Sequence, residues 1–138
     1  MKEYLNETID DLIIKVDKVA FVHKDHTLEH ALLVLTQSGY TAIPVLDYSN
    51  KIFGLVSTPL IMKAILEVEK INFSLLETIK VEQIITDKFS YCYEKASFIK
   101  VFPLLIDAPF LCVVNEKKEF VGILTRREVL KKFKTSTI

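Results

Sequence analysis

The feature that most constrains the fold of this chain is an internal repeat. The apolar pattern that begins at Ile9 recurs from Val81, 72 residues later, and Gly54–Ser57 recurs as Gly122–Thr125, 68 residues later. The offset shrinks because the second copy has lost residues, mostly opposite Gln37–Thr41 of the first copy. A repeated unit of this length is too small to bury its own apolar face, so the two copies are expected to pack on each other.

Each copy is predicted to contain a strand, a helix, two strands and a second helix. In the first copy, Thr27 suits the N-cap of a helix and Gly39 suits its C′ position. The other predicted elements are an amphipathic helix over Tyr4–Ile14, strands over Val19–Val22, Thr41–Leu46 and Ile52–Val56, and a helix from Ser57 or Thr58 to about Lys70. The sequence therefore predicts an α/β fold with two βαββα motifs, at residues 8–70 and 79–135, related by a pseudo-two-fold axis.

Composition and charge exclude several classes of function. The 138 residues include 18 Lys+Arg and 18 Asp+Glu, a balance that argues against a general nucleic-acid surface. Charges in the first twenty residues argue against a signal peptide, and the longest uncharged run, residues 31–46, contains Pro44 and is no membrane span. Cys92 and Cys112 have neither metal-ligand spacing nor the number that a disulfide framework needs. We therefore expect a cytoplasmic protein with reduced thiols.

Side chains that could catalyse a reaction or bind a metal do not form a recognisable pattern. His26 and His30 would share a helix face if the helix began early, but no carboxylate or cysteine is placed to complete a metal site with His23. Ser57 and Ser97 are better explained as helix caps than as nucleophiles, because no histidine is placed to activate them. The sequence predicts neither an enzyme nor a metal-binding protein.

The most informative stretch for function is Phe120–Phe133, a short buried strand that runs directly into a basic helix. Thr125 is a good N-cap residue, and Glu128 three residues later completes a capping box. Arg126 and Arg127 then lie in the first helical turn, where free N–H groups and the helix dipole favour an anion. Two cations at this position indicate a negatively charged partner, and an ordinary capped surface helix with solvated arginines is the alternative.

These motifs resemble those of the CBS (cystathionine-β-synthase) domain family, in which two motifs form a Bateman module. The Gly-x-x-x-hydrophobic-Pro-Val strand of the family matches Gly39–Val45, and its strand-to-helix junction matches Gly54–Ser57 and Gly122–Thr125. The second copy lacks the Gly and Pro of the strand, and the acidic position that usually holds a ribose is Leu60 in the first copy and Glu128 in the second. The resemblance covers nearly the whole chain and implies one good nucleotide site, in the cleft between the motifs.

A narrower resemblance is to the small stand-alone CBS proteins of Gram-positive bacteria that bind cyclic di-AMP. It rests on Asp17–Ala20, Leu28–Thr36, Gly39–Asp47 and Thr125–Arg127, which match over longer stretches than the general CBS pattern. The resemblance implies a regulatory protein whose occupancy by cyclic di-AMP controls its binding to partner proteins. The residues that it implies for the ligand site are Lys18, Ala20, Phe21, Thr41, Thr125, Arg126 and Arg127.

The chemistry of a cyclic dinucleotide fits these residue types. Its two phosphodiester charges suit charge-assisted bonds from the Arg126–Arg127 pair and a point charge on Lys18. Its adenines suit the backbone of Ala20 and an apolar surface such as Phe21, and the hydroxyl of Thr41 suits either a base or a phosphate.

Two other functions stay open at this level: sensing of AMP, ADP or ATP, and ligand-independent protein interaction. The family resemblance further implies a homodimer formed through helices, and it names a (p)ppGpp synthetase/hydrolase or pyruvate carboxylase as the partner protein. No cofactor, nucleic acid or membrane partner is expected. Two apolar stripes are candidate dimer surfaces: one of Ile61, Ile65 and Val68, and one of Val129 and Phe133. The alternative is that these residues pack in the core of the chain itself.

Overall fold

The computed structural model describes residues 6–137, with side chains through residue 134. The strands are β1 (Ile14–Lys15), β2 (Val22–His23), β3 (Ala42–Leu46), β4 (Ile52–Ser57), β5 (Tyr91–Tyr93), β6 (Phe110–Val114) and β7 (Phe120–Thr125). The α-helices are α1 (Leu28–Ser38), α2 (Thr58–Ile65), α3 (Phe98–Asp107) and α4 (Arg126–Thr137). Short 3-10 helices include Asp10–Leu12, Val16–Lys18, Phe73–Glu77 and Val81–Gln83. The predicted α/β class and the predicted order of elements in each copy are confirmed.

One compact unit, Ala20–Phe89, contains a three-stranded sheet in the order β2-β3-β4. Strand β2 is parallel to β3, with Val22 opposite Val45, and β3 is antiparallel to β4, with Ala42 opposite Ser57. The residues before β2, the residues before β3 and the start of α2 therefore lie at one edge of the sheet. The buried core of this unit is formed by Val22, Leu28, Ala31, Leu35, Ile43, Val45, Val56, Ile61, Ile65 and Val81.

The other compact unit contains the described residues up to Val19 and those from Ser90 onward. Its four-stranded sheet has the order β1-β7-β6-β5, in which β5 is parallel to β6 and β6 is antiparallel to β7, with Phe110 opposite Thr125. The end of β7 therefore lies at the same sheet edge as the residues that precede β6. The buried core of this unit is formed by Ile9, Ile13, Cys92, Phe98, Val101, Leu105, Leu111, Val113, Leu124, Val129 and Phe133.

Each compact unit contains most of one repeat and, in addition, the short segment that begins the other repeat in the sequence. Strand β1 pairs antiparallel with β7, so that Ile14 lies opposite Ile123. In the other unit, the N–H groups of Leu55 and Thr86 each donate to the carbonyl of the other residue at 2.9 Å. Thr86 follows Ile14 by 72 residues, which is the offset of the leading segments in sequence. The limits 8–70 and 79–135 of the two repeats stay a prediction. The compact units do not test them, because each unit combines most of one repeat with a segment from elsewhere in the sequence.

Gly122 permits the close approach of β1 to β7. A Cβ atom on this residue would lie 2.1 Å from the carbonyl oxygen of Ile14 and 2.8 Å from Cγ2 of Ile13. The backbone φ of +158° is also one that side-chain-bearing residues rarely adopt. The glycine predicted from the motif is therefore required for packing in the second copy.

The helix predicted over Tyr4–Ile14 is wrong in the described residues, and residues 4 and 5 lie outside them. From residue 6 the chain forms the 3-10 helix Asp10–Leu12 and then β1. The N–H of Ile9 donates to the carbonyl of Ala96 at 2.9 Å, and Ile9 is fully buried. The apolar residues of this segment are thus buried by docking on the second copy, so they need no helix of their own.

The first helix of the repeat has the predicted termini. Oγ1 of Thr27 accepts a hydrogen bond from the N–H of His30 at 3.3 Å, as an N-cap does. Gly39 has a φ of 77°, and its N–H donates to the carbonyl of Leu35 at 3.0 Å. The strand before this helix begins later than predicted, at Val22 rather than Val19.

Helix α2 ends earlier than the predicted Lys70. Leu66 is extended, and the chain reverses where the N–H of Glu67 donates to the carbonyl of Lys70 at 2.8 Å. The N–H of Asn72 then donates to the carbonyl of Ile65 at 2.8 Å. The returning chain thus satisfies a carbonyl that a further helical turn would have used.

The apolar stripes predicted as candidate dimer surfaces belong mainly to the core of each unit. Ile61 and Ile65 are completely buried, and Val129 and Phe133 are 1% and 7% exposed. Val68 is fully exposed, but it lies beyond the end of α2 and continues no helical stripe. These four buried residues are therefore corrected to intrachain packing.

In the part of the chain that the structure describes, no helix is both apolar and long enough to cross a membrane. Cys92 and Cys112 are free and buried. Burial raises the pKa of the Cys92 thiol to about 11 and that of Cys112 to about 12. Both cysteines therefore behave as small apolar core residues rather than as nucleophiles.

Candidate functional site

The basic junction, Thr125–Arg127, joins the end of β7 to the start of α4. Oγ1 of Thr125 accepts a hydrogen bond from the N–H of Glu128 at 3.1 Å, which confirms the predicted N-cap. Because consecutive helical residues are rotated by about 100°, Arg126 and Arg127 have different surroundings.

Arg126 binds the end of another helix. Its Nε donates to the carbonyl of Leu105 at 2.8 Å and its Nη2 donates to the carbonyl of Ile106 at 3.2 Å. Both carbonyls belong to the last turn of α3, where backbone acceptors lack intrahelical partners. The backbone N–H of Arg126 also donates to the carbonyl of Pro109 at 2.9 Å. The half-buried guanidinium is therefore fixed by contacts within the chain.

Arg127 is the exposed member of the pair, with 78% of its side-chain surface accessible. Its Nη1 lies 3.8 Å from Oε1 of Glu128, and Nζ of Lys131 lies 3.7 Å from the same oxygen. Exposed ion pairs of this kind contribute about 0–1 kcal/mol to stability. Arg127 can therefore leave Glu128 for another anion at little cost.

Lys18 lies in the same compact unit as the basic junction. It is exposed at the end of the 3-10 helix Val16–Lys18, which follows β1 and packs against β7. The segment 126–134 adds five positive charges and one negative charge to this unit. The structure thus places four of the seven predicted ligand residues, all with cationic or hydroxyl groups, in one unit.

The three remaining predicted residues belong to the unit Ala20–Phe89. Ala20 and Phe21 are half-buried and immediately precede β2, and Thr41 is exposed and immediately precedes β3. The carbonyl of Thr41 accepts a hydrogen bond from the N–H of Thr58 at 3.0 Å. These residues therefore share one edge of the three-stranded sheet, at the start of α2.

A histidine cluster lies at the opposite end of β2, where His23 is opposite Leu46. The ring centroids of His26 and His30 are 4.2 Å apart, and those of His23 and His26 are 5.6 Å apart. Helix α1 begins at Leu28, so His26 is not on a helix with His30. Nδ1 of His26 accepts a hydrogen bond from the N–H of His23 at 3.1 Å, and burial lowers the pKa of His26, helped by its two histidine neighbours. Among the described residues, no group of three or more His, Cys, Asp or Glu side chains is arranged for a metal ion.

The two serines predicted to be helix caps, Ser57 and Ser97, differ from each other. Oγ of Ser57 accepts a hydrogen bond from the N–H of Leu60 at 3.3 Å, so Ser57 caps α2 as predicted. Ser97 occupies the N-cap position of α3, but its side chain makes no capping hydrogen bond. The N–H of Phe98 is satisfied instead by the carbonyl of Glu7 at 3.0 Å.

Sequence motifs alone do not reveal the partner of Arg126. The signal that could have indicated it is the end of α3, where Ala108 and Pro109 replace the glycine that closes α1. Pro109 has no N–H to donate, so the last carbonyls of α3 need a donor from elsewhere in the chain.

Comparison with known families supports the motif assignment. The family model described as CBS domain matches residues 9–67 and 81–135. The two matched segments cover most of the chain. The predicted tandem pair of CBS motifs is confirmed.

Individual relatives match over nearly their whole length. Cyclic di-AMP receptor B of Bacillus subtilis (strain 168) is 43% identical over 129 residues, which are 94% of this chain and 88% of that protein. A crystal structure of a CBS domain-containing protein of unknown function from Bacillus anthracis is 46% identical, covers 97% of each chain and has a TM-score of 0.88. The CbpB protein of Listeria monocytogenes, solved in complex with c-di-AMP, is 43% identical over 94% of this chain and 96% of that one, with a TM-score of 0.85. By these matches, the chain belongs to the CBS domain family.

Proposed function

We propose that this protein binds cyclic di-AMP and that occupancy by the ligand controls its binding to partner proteins. The observation that carries the proposal is similarity over nearly the full length to a protein named cyclic di-AMP receptor B. The similarity to CbpB, solved with c-di-AMP, points to the same ligand. The proposed function is one of binding and regulation, and the proposal includes neither catalysis nor a cofactor.

The phosphates of the ligand are assigned to the basic unit. Arg127 is exposed at the first turn of α4, where N–H groups and the helix dipole also favour an anion. Arg126, Lys18 and the Thr125 hydroxyl are the further donors in this unit. Because the Arg127–Glu128 pair is weak, replacing it with a phosphodiester contact is favourable.

The adenine contacts are assigned to residues at the edge of the three-stranded sheet. Ala20 offers backbone groups, the half-buried Phe21 offers an apolar ring, and the exposed Thr41 offers a hydroxyl. The ring of Phe21 lies edge-on to that of His23, with centroids 5.9 Å apart. These seven residues are the proposed ligand site.

Isothermal titration calorimetry with cyclic di-AMP tests the proposal. We expect binding near one ligand per chain, and we expect Arg127→Ala to weaken it by about tenfold or more, since a charge-assisted hydrogen bond is lost. Lys131→Ala is the matched control, because Lys131 contacts the same oxygen of Glu128 from the next turn of α4. Equal loss in the two variants would show that general positive charge, and not the basic junction, attracts the ligand.

Competition distinguishes this proposal from the two other functions. A mononucleotide such as AMP or ATP that binds much more tightly than cyclic di-AMP would make the protein an adenylate sensor. No heat with any of these nucleotides would leave a ligand-independent interaction module.

A homodimer in the cytoplasm is part of the proposal. Since the predicted stripes are buried, we assign the contact with a second copy of the chain to exposed apolar side chains of α3 and α4: Ile99, Ile106 and Leu130. Sedimentation velocity over a range of protein concentrations tests this assignment, with Leu130→Glu expected to shift the population to monomer. Lys131→Ala is the control, because it also lowers the net charge of the same helix by one unit.

The partner protein that we propose, as the family resemblance implies, is a (p)ppGpp synthetase/hydrolase or pyruvate carboxylase. A pull-down of each purified candidate, with and without saturating cyclic di-AMP, tests whether the ligand changes binding. No retention of either candidate would contradict these partners, and equal retention with and without the ligand would contradict control by cyclic di-AMP.

A further inference from the structure

We propose that Arg126 is a positioning residue that closes helix α3 and thereby presents a pre-oriented guanidinium to the ligand phosphate. The inference rests on the proposed function for the phosphate. Its structural part, closure of α3 by Arg126, is independent of any ligand.

The first copy shows how the equivalent helix ends without an arginine. The N–H of Gly39 donates to the carbonyl of Leu35 at 3.0 Å, and Oγ of Ser38 donates to the same carbonyl at 3.2 Å. Gly39 adopts the left-handed conformation that this cap requires. Thr58, which corresponds to Arg126, contributes its backbone N–H to Thr41 at this position. Helix α1 is therefore closed by its own last residue, Ser38, and by Gly39, which follows it directly.

The second copy lacks these donors. Leu105 corresponds to Leu35, but the connection after α3 is shorter and contains Ala108 and Pro109 in place of a glycine. Ala108 is extended, with φ −131° and ψ 129°, and a proline has no N–H. Pro103 also removes one intrahelical hydrogen bond within α3. The last turn of α3 therefore depends on an external donor.

Arg126 supplies that donor at the equivalent carbonyl. Its Nε donates to Leu105 at 2.8 Å, and its Nη2 donates to the next carbonyl, that of Ile106, at 3.2 Å. The backbone bond from Arg126 to Pro109, at 2.9 Å, repeats the bond from Thr58 to Thr41. The two copies thus share the backbone contact, and the arginine side chain is the addition in the second copy.

The contacts with α3 leave part of the guanidinium for an anion. A guanidinium has five N–H groups in a fixed plane, and two of them are used by the carbonyls. The edge formed by Nη1 and the second N–H of Nη2 retains the geometry for a two-bond contact with phosphate. Because the carbonyls already restrict the side chain, little rotamer entropy remains to be lost on binding.

The arrangement couples ligand occupancy to α3. A phosphate bound to the remaining edge stabilises the orientation in which Arg126 closes α3, so the ligand is expected to protect the last turn of this helix. Ile106, whose carbonyl accepts from Arg126, has a side chain that is 75% exposed. The effect of the ligand thereby reaches a residue that is assigned above to the contact with a second copy of the chain.

Ligand-free variants test the structural part. Arg126→Gln removes the charge and the reach of the side chain, and Arg127→Gln removes the same charge from the neighbouring exposed position. We expect a lower Tm and faster amide exchange in a peptide covering Leu104–Ala108 for the first variant, with little change for the second. Equal Tm and exchange in the two variants would overturn closure of α3 by Arg126.

Conservative variants test the positioning of the phosphate ligand. Arg126→Lys keeps the charge but not the planar fork, whereas Arg127→Lys keeps a point charge at an exposed site. We expect the Arg126 variant to lose about tenfold in cyclic di-AMP affinity and the Arg127 variant to lose much less. At saturating ligand, exchange in the Leu104–Ala108 peptide should slow in wild type and in Arg127→Lys but not in Arg126→Lys.

The results separate this inference from the proposed function. Slowing of exchange in Arg126→Lys equal to that in wild type would overturn the positioning role while leaving ligand binding intact. If wild type bound no cyclic di-AMP, the proposed function and the ligand part would fail together. The ligand-free comparison would then still decide whether Arg126 closes α3.

Discussion

Gly122→Ala is expected to be among the most destabilising single-methyl changes in this protein. The added Cβ would lie 2.1 Å from the carbonyl oxygen of Ile14, far inside van der Waals contact, and this atom belongs to the backbone of β1. Relief of the clash requires β1 to move away from β7. Gly39→Ala is a matched control, because Gly39 also has a positive φ, of +77°, but nothing lies within 4 Å of its Cβ position.

The cost of the two substitutions can be worked out from these contacts. At Gly39 the cost is backbone strain alone, about 1–2 kcal/mol for a residue with a Cβ in the left-handed region. At Gly122 the backbone strain is of similar size. Two further costs are added: weaker pairing of the short β1 with β7, at about 1 kcal/mol per hydrogen bond, and partial exposure of the buried Ile13. The total is on the order of 4 kcal/mol, a large share of the stability of a domain of this size.

Urea unfolding followed by circular dichroism measures both costs in the same conditions. We expect Gly122→Ala to lower the free energy of unfolding by at least twice as much as Gly39→Ala. It should also weaken ligand binding, because Lys18 follows β1 by three residues. Equal losses in the two variants would mean that β1 can move away from β7 without lowering the free energy of unfolding. This result would refute the proposed importance of the β1–β7 pairing.

Three further predictions concern a cap, a titration and two thiols. Thr125→Ala should cost about 1 kcal/mol in urea unfolding, with Thr125→Ser near wild type, because the hydroxyl caps α4. Burial lowers the pKa of His26 from the usual 6.5, so the unfolded state binds more protons than the folded state and Tm should fall as the pH is lowered through 6.5. His30→Gln should reduce this fall, because His30 also lowers the pKa of His26. A pH profile of Tm that is the same in the variant and in wild type would contradict this role of His30. Cys92 and Cys112, with pKa values raised to about 11 and 12, should react with a thiol reagent only after unfolding, and fast reaction of the native protein would count against their burial.

Most helices and strands could be predicted from the sequence because their signals are local. Thr27 and Gly39 mark the two ends of α1 through hydrogen bonds with residues three or four positions away. Thr125 does the same for the start of α4. Such caps act within a single turn, so the residue type and its spacing are sufficient to identify them.

Elements that depend on distant contacts could not be predicted in the same way. The segment around Ile9 has an apolar pattern that fits a helix, but its backbone bonds to Ala96 and its side chains join a core formed mostly after Ser90. Likewise, the spacing of Ile61 and Ile65 shows an apolar face but not what covers that face. In both cases the apolar residues are buried as the pattern predicts, but tertiary packing determines the backbone conformation and what covers the apolar face.

The residues of the candidate site stay a prediction, and the electrostatic reasoning behind Arg126 and Arg127 changes with the structure. Two cations at the start of a helix indicate a negative partner, because the dipole disfavours them there. For Arg126 that partner is within the chain: the carbonyls of Leu105 and Ile106 carry the negative end of the α3 dipole. For Arg127 the partner is Glu128 at 3.8 Å on a solvated surface, which offsets little of the charge. The positive charge that remains available to attract a ligand is therefore mainly that of Arg127. Arg126, whose charge interacts with the carbonyls of α3, contributes chiefly a fixed orientation of its guanidinium.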